Sequence, residues 1–159
     1  RHTAIIMISV DVVSDETNWS KKIKKKDVFF YSICKLFPKK YQFVNKKVFL
    51  TLLLSNNKGT KKLNRKFRNK NKATDILSFP NQKKFRLQNK SYLGDIIISY
   101  NFMNKPKNQD IKLFKDKVVK TFIHGFLHLL NFDHIKIKDY KKMIKEEQKI
   151  YQSVVEKIN

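Results

Sequence analysis

Residues that interrupt or cross-link a chain are scarce in this sequence of 159 residues, which has three glycines, three prolines and one cysteine. A single cysteine excludes an internal disulfide, so Cys34 is expected to be a small apolar residue in a reducing, intracellular compartment. Few glycines and prolines leave no segment that resembles a linker, and no apolar run is long enough to span a bilayer. We therefore expect one domain over residues 1–159, in the cytoplasm and without a membrane partner.

Acidic residues are also few, and 13 of them against 36 Lys and Arg give a formal net charge of +23. A field of this size attracts polyanions and speeds their encounter, which makes nucleic acid the expected partner. Lysine supplies 32 of the basic residues, and Asn, Ile and Phe are abundant too, so codon bias is an alternative origin of the charge. The positive charge attracts polyanions whether it arose from codon bias or from selection for a basic surface.

Three of the four histidines lie in one segment, Thr121–His134, with the sequence TFIHGFLHLLNFDH. His124 and His128 are four residues apart in an apolar run, which on a helix places them about 40° apart on one face. His134 follows after the helix has room to end at Asn131, a residue type that tolerates the left-handed conformation of a helix exit. Three imidazoles with a fourth position open to water are typical of catalytic zinc. We predict one Zn²⁺ per chain, held by these three histidines.

The same histidine spacing occurs in the metzincin proteases, whose helix carries a general-base glutamate directly after the first histidine. Here that position is Gly125, which removes the base and leaves bare backbone that a bulky group can approach. A metallopeptidase or amide hydrolase is therefore a second hypothesis. Three unrelated histidines, two of them packed in a helix, are the simplest alternative.

Hydrophobic periodicity predicts four strands and four helices in an α/β fold. The strands are expected at residues 4–13, 47–54, 75–80 and 93–100. The helices are expected from Trp19 to near Pro38, from a cap at Thr60 to about residue 69, from Asp110 or Ile111 to about Leu130, and from Asp139 to about Ile158. Asn56–Gly59 is expected to be a turn, and Asn81–Ser91 a hairpin or irregular loop. We expect a mixed sheet of about four strands, with the first helices on one side and the histidine helix packed centrally against it.

Three segments in order, LNRKFRNKNKATDILSFP (63–80), LGDI (93–96) and HGFLHLLNFDH (124–134), resemble the YbeY family of bacterial metal-dependent endoribonucleases of ribosomal RNA maturation. The spacing of Met143 and Glu147 is similar as well. The resemblance implies an α/β/α sandwich with a central metal-binding helix and a metal site in a cleft. Three positions depart from the family pattern, which usually has Pro, Gly and Tyr at Ala73, Asn131 and Phe132.

The resemblance implies that His124, His128 and His134 are the metal ligands and that Arg68 matches the family's arginine. An arginine can hold a phosphate by two parallel hydrogen bonds, which a lysine cannot do. We predict catalytic roles for Arg68, His124 and His128. We predict that three residues bind the RNA backbone: Arg68, Lys66 and Lys72. Asp133 is expected to be a turn residue rather than a partner that orients an imidazole.

The leading hypothesis is thus a single-strand-specific, zinc-dependent endoribonuclease that matures the 16S rRNA 3′ end and acts in ribosome quality control. Its expected partners are ribosomal RNA and ribosomal subunits. A third hypothesis is a ribosome-assembly factor that binds RNA and carries a structural metal. No residue in the sequence identifies itself as a general base, so attack by water and attack by a neighbouring 2′-hydroxyl both stay open.

Overall fold

The computed structural model of the chain describes residues 8–43, 46–81, 90–132 and 137–158. The strands are β1 (Ile8–Ser14), β2 (Lys47–Ser55), β3 (Ile76–Pro80) and β4 (Lys90–Ser99). The helices are α1 (Trp19–Lys22), α2 (Lys26–Lys35), α3 (Asn57–Arg68), α4 (Tyr100–Met103), α5 (Ile111–Leu129) and α6 (Ile137–Val154), with a 3₁₀ turn at Lys39–Tyr41. Residues 4–7 of the first predicted strand and residues 82–89 of the predicted hairpin or loop lie outside the described residues.

The four described strands form one sheet in the order β1-β2-β4-β3. β2 is parallel to both of its neighbours, and β3 runs antiparallel to β4 at the edge. Leu52 in β2 pairs with Val12 on one side and with Ile96 on the other. The prediction of a mixed sheet of about four strands in an α/β fold is therefore confirmed.

The two faces of the sheet differ in how fully they are covered. In β2 the alternate residues Val48, Leu50, Leu52 and Leu54 are all buried, whereas the residues between them are only partly buried. The buried face packs against α2 and α5, whose Phe30 and Phe122 rings lie 5.2 Å apart. The other face is partly covered by α3, so the predicted placement of all the first helices on one side is wrong for this helix.

The predicted helix from Trp19 to Pro38 is two helices. α1 ends at Lys22 and α2 begins at Lys26, because Ile23 leaves the helix in an extended conformation with its side chain buried. A periodic apolar pattern runs through both helices, and such a pattern does not reveal a change in direction.

α3 begins earlier than predicted, and its buried positions are polar. The N-cap is Asn56, whose side chain accepts a hydrogen bond of 2.9 Å from the Gly59 amide, so the predicted turn and the predicted cap at Thr60 are wrong. Asn64 is buried and donates to the Lys72 carbonyl at 2.9 Å, which fastens the loop that follows the helix. The apolar Phe67 on the same helix is 60% exposed.

Gly94 in β4 has a positive φ of 135° and lies where β4 shifts register against β2. A Cβ at this position would lie 2.2 Å from the Phe79 carbonyl oxygen and 2.9 Å from the Pro80 Cα. Both atoms belong to the backbone of the adjacent strand, so they cannot rotate away.

We predict that Gly94→Ala lowers the free energy of unfolding by about 3 kcal/mol, because backbone strain and a steric clash act together. Urea denaturation measures the change. Lys61→Ala on the exposed side of α3 is the control, with an expected change within about 0.5 kcal/mol. A Gly94→Ala variant as stable as the wild type would contradict the assigned conformation.

Glu146 fastens α6 to the 3₁₀ turn that precedes β2. Its buried carboxylate accepts hydrogen bonds from the Tyr41 hydroxyl and from Lys40, the latter at 3.1 Å, and Lys149 lies 3.4 Å away. The Tyr41 hydrogen bond, followed by the Lys40 contacts, lowers the pKa of Glu146 from 4.5 to about 2 despite burial. Burial and the same carboxylate raise the pKa of Tyr41.

A carboxylate whose pKa is lowered by folding stabilises the protein fully above its unfolded pKa, and this stabilisation is lost as the pH falls through the folded pKa. Tyr41→Phe removes the largest of the lowering interactions. We therefore expect the difference in melting temperature between wild type and Tyr41→Phe to be constant above pH 4.5 and to shrink from there towards pH 2. Tyr140→Phe, at a half-exposed tyrosine of α6, should show no such pH dependence. A Tyr41→Phe difference that does not change between pH 6 and pH 2 would refute this role of the Tyr41 hydroxyl.

Candidate functional site

Helix α5 starts and ends at defined backbone features. Asp110 caps its N-terminus by accepting a hydrogen bond of 2.8 Å from the Leu113 amide. After Leu129 the chain turns through Asn131, which has the left-handed φ of 69° that its residue type predicted. The Phe132 amide then donates to the Leu127 carbonyl at 3.1 Å. This exit folds the backbone of Phe132 back towards the last turn of the helix.

Gly125 is the point of closest approach between α5 and the sheet. A Cβ there would lie 2.6 Å from the Ile76 Cδ1, 3.0 Å from the Ser78 Oγ and 3.2 Å from the Ile96 Cγ2. The Ser78 hydroxyl donates to the Gly125 carbonyl at 3.1 Å. The bulky group that the glycine admits is therefore the sheet itself, through β3 and β4.

His124 and His128 lie on one face of α5, as their spacing predicts. Their ring centroids are 4.6 Å apart with the planes at 78°, and their Nε2 atoms are 3.1 Å apart. The His124 Nδ1 lies 2.5 Å from a carboxylate oxygen of Glu147 in α6. The His128 Nδ1 lies 3.0 Å from the Phe132 carbonyl oxygen. Both rings therefore direct Nδ1 at a fixed oxygen and Nε2 at a shared point.

The partners of the two Nδ1 atoms determine which ring nitrogens carry protons. A carbonyl oxygen only accepts hydrogen bonds, so the Nδ1 of His128 must be the donor, and the carboxylate of Glu147 selects the same tautomer for His124. In neutral rings the two Nε2 lone pairs then face each other, an arrangement that a cation between them stabilises. Two imidazole nitrogens 3.1 Å apart are close enough for both to bind one ion of the size of Zn²⁺. The two histidines therefore fit a zinc ion.

The third predicted ligand, His134, lies outside the described residues, as does Asp133. Within the parts of the chain that the structure describes, no group of three or more His, Cys, Asp or Glu side chains converges as a metal site would. The metal site with three histidines therefore stays a prediction.

Glu147 is a residue of the candidate site that the sequence alone did not single out. It lies on α6, one helical turn beyond the buried Met143, and its side chain is 29% exposed. A carboxylate on the Nδ1–H of a ligating histidine orients the ring and makes its other nitrogen a better ligand. The resemblance had included the spacing of Met143 and Glu147, and an acidic residue in such a basic chain was a further signal.

Arg68 is joined to α5 through Ser78. One guanidinium nitrogen of Arg68 donates to the Ser78 carbonyl at 2.9 Å, and its Cζ lies 5.4 Å from the centre of the Phe79 ring. The hydroxyl of the same serine bonds to Gly125, the neighbour of His124. One short strand thus holds the arginine on one side and the histidine helix on the other.

The two predicted RNA-binding lysines are less constrained. Lys66 is exposed and lies 5.3 Å from the centre of the Phe67 ring, on the α3 side of the sheet. Lys72 is exposed in the loop after α3, where its carbonyl accepts the hydrogen bond from Asn64. Their contact with RNA stays a prediction.

Comparison with known proteins identifies the family. A sequence model described as Endoribonuclease YbeY matches residues 13–155. The Endoribonuclease YbeY of Pelagibacter ubique is 66% identical over 152 residues, which are 96% of this chain and 99% of the relative. The chain belongs to the YbeY family. The family member of the same name from Sulfurihydrogenibium is 34% identical over 139 residues, or 84% of this YbeY chain and 85% of the relative.

A solved structure supports the fold of this YbeY chain. The solution structure of a protein from Thermotoga maritima matches it with a TM-score of 0.53 and 24% sequence identity, covering 93% of this chain and 89% of the other. Among the described helices, none combines the length and the apolar character that crossing a membrane requires.

We predict that Glu147→Gln weakens zinc binding about 10- to 100-fold, because the amide cannot accept the Nδ1 proton as strongly as a carboxylate does. Competition with a chromophoric chelator measures the affinity. Glu156→Gln, at an exposed acidic residue just beyond α6, is the matched control and should bind zinc like the wild type. Equal zinc affinity in both variants would rule out this role for Glu147.

Proposed function

We propose that this chain is a zinc-dependent endoribonuclease that cuts single-stranded RNA in ribosomal RNA maturation, including the 3′ end of 16S rRNA, and acts in ribosome quality control. Membership of the YbeY family supports cleavage of RNA. The observation that carries the metal dependence is the pair of Nε2 atoms 3.1 Å apart, each on a ring whose Nδ1 is already engaged.

His124 and His128 would hold the zinc ion, with His134 as the third ligand. Zinc bound by three imidazoles supplies a Lewis acid for a phosphoryl oxygen and lowers the pKa of a coordinated water. The protein residues contribute orientation. Glu147 and the Phe132 carbonyl would each accept the Nδ1 proton of one ring and so aim both Nε2 atoms at one point.

Arg68 would hold the phosphate next to the scissile bond. The hydrogen bond to Ser78 and the contact with the Phe79 ring engage part of the guanidinium group and limit its rotation. The other N–H groups can then bind two phosphate oxygens in parallel. A guanidinium that is already oriented loses little entropy when the phosphate arrives.

The surface beside Arg68 suits unpaired bases. Phe67 is 60% exposed next to Phe79, at the edge of a cleft of about 520 Å³ that is lined on its floor by Thr51, Leu53 and Ile97. Exposed aromatic rings provide stacking platforms for single-stranded bases, and the nearby Lys66 and Lys72 would contact the backbone without reading sequence.

The decisive experiment is cleavage of a labelled single-stranded RNA that carries the 3′ end of 16S rRNA, with protein of known zinc content. We expect His128→Ala to abolish cleavage and removal of zinc by a chelator to do the same. Arg68→Lys should lower kcat/KM about 10- to 100-fold, since it removes charged hydrogen bonds worth about 1.5–3 kcal/mol while keeping the charge. Arg65→Lys, on the same helix and also exposed, is the matched control and should cleave normally.

Three results would count against the proposal. If folded His128→Ala cuts RNA as fast as the wild type, the activity does not come from this site. If the chain binds RNA and zinc but never cleaves, it is a binding factor with a structural metal. If the wild type cleaves peptides and the Arg68→Lys variant cleaves them at the same rate, the protein is an amide hydrolase.

A further inference from the structure

A second basic site lies away from the histidine pair, around the break between α1 and α2. A concave pocket of about 550 Å³ opens there between the break, the start of α5 and the segment after α6. Six lysines line it: Lys21, Lys22, Lys24, Lys25, Lys115 and Lys157. None of the described residues that line the pocket is acidic, so its local potential is strongly positive.

The break between the helices creates this concentration of charge. In the single helix that the sequence predicted, Lys21–Lys25 would spread around the circumference at about 100° per residue. The break instead buries Ile23 and leaves the lysines on both sides of it around one opening. Lys115 and Lys157, from distant parts of the chain, complete the ring.

These lysines differ from others on the same protein. Lys40, Lys120 and Lys149 are paired with the carboxylates of Glu146 and Asp116. Within the described residues, none of the six pocket lysines has a carboxylate oxygen within 4 Å, and the one acidic influence that is resolved is longer-range, between Lys21 and Glu16, whose pKa it lowers. Lys22 and Lys115 lie over the rings of Phe114 and Phe29, at 5.7 Å and 6.0 Å, which restrains their side chains. Six positive charges around one opening, two of them held over aromatic rings, can bind an extended polyanion.

The pocket is well separated from the histidines. Lys115 and His124 both lie on α5, nine residues apart, which corresponds to about 14 Å of rise and two and a half turns. They therefore project from opposite sides of the helix. A ligand held in the pocket does not occupy the candidate site, but a long strand can reach both places.

We propose that this lysine pocket is a second RNA-binding site, which holds the phosphate backbone of a strand whose other part lies at the histidine site. The identity of the polyanion as RNA rests on the proposed function. A concave site favours a strand over a flat membrane, because a strand can enter the recess and contact all of its lysines, whereas a flat bilayer surface reaches only the rim. Half-exposed Val28 and Ile111 at the rim can contact riboses or bases.

The test measures binding, not cleavage, in full-length protein carrying His128→Ala throughout. The pocket variant replaces Lys21, Lys22, Lys24 and Lys25 by Gln. The matched control removes four exposed lysines that are scattered elsewhere: Lys35, Lys39, Lys47 and Lys107. A third variant combines Lys115→Gln with Lys157→Gln and so tests the pocket lysines that come from other parts of the chain. Thermal melting verifies that each variant is folded.

Affinity for a labelled single-stranded RNA is measured by fluorescence anisotropy over a range of salt concentrations. For the pocket variant we expect affinity at least about tenfold weaker and a salt slope smaller by about three, since each lost phosphate contact on a single strand lowers the slope by about 0.7. In the Lys115/Lys157 variant, which loses two lysines instead of four, the reduction of the salt slope should be about half as large. The scattered control should change the slope by less than about one.

Equal losses in the pocket variant and the scattered control would overturn the proposal, because binding would then depend on net charge alone. A pocket variant that binds RNA normally but no longer binds vesicles of phosphatidylglycerol and phosphatidylcholine would also overturn it. RNA cleavage in the His128→Ala background would contradict the proposed function, yet the affinity comparison would still test the pocket.

Discussion

The close packing of α5 on the sheet at Gly125 is the constraint on which the rest of the site depends. A side chain at this position would contact Ile76, Ser78 and Ile96 at distances shorter than normal packing allows. Its absence lets the Ser78 hydroxyl reach the helix backbone while the Ser78 carbonyl, at the sheet edge, receives Arg68. One short strand therefore sets the position of a guanidinium relative to a pair of imidazoles that come from a distant part of the sequence.

The second determinant is the pairing of α5 with α6. Glu147 contacts His124 and its neighbour Glu146 is held by Tyr41 and Lys40, so two consecutive carboxylates of one helix face different partners. The buried Glu146 fixes the rotation and height of α6, and Glu147 is then presented to the imidazole. Orientation of a ring at the candidate site thus depends on a buried ionic contact with the segment before β2.

Much of the architecture could be predicted from the sequence, because strong apolar periodicity specifies elements locally. The mixed sheet, the start of α5 at Asp110 and the left-handed Asn131 all follow from residue type and spacing. The inward face of α3 could not be predicted in this way, because its buried positions are the polar Thr60 and Asn64, which bond to the chain around them. The break at Ile23 was equally hidden, since the apolar pattern continues across it.

In the candidate site, too, some features follow from local sequence and others depend on tertiary packing. The spacing of two histidines one helical turn apart predicts that one nitrogen of each ring points to the same place, and the Nε2 atoms, 3.1 Å apart, do so. Glu147 could not be assigned from spacing within α5, because it arrives from another helix through tertiary packing, and neither could the link through Ser78. Predictions of ligands within one turn are local, whereas the groups that orient those ligands depend on the whole fold.

The exit of α5 couples backbone conformation to side-chain chemistry. The proton on His128 is held at Nδ1 by the carbonyl of Phe132, and that carbonyl is in place only because Asn131 turns the chain back in the left-handed region. Residues 131 and 132 therefore act on the electronic state of an imidazole without supplying any reactive group. Sequence changes at this helix exit can therefore alter the orientation of the His128 ring while the histidine itself stays unchanged.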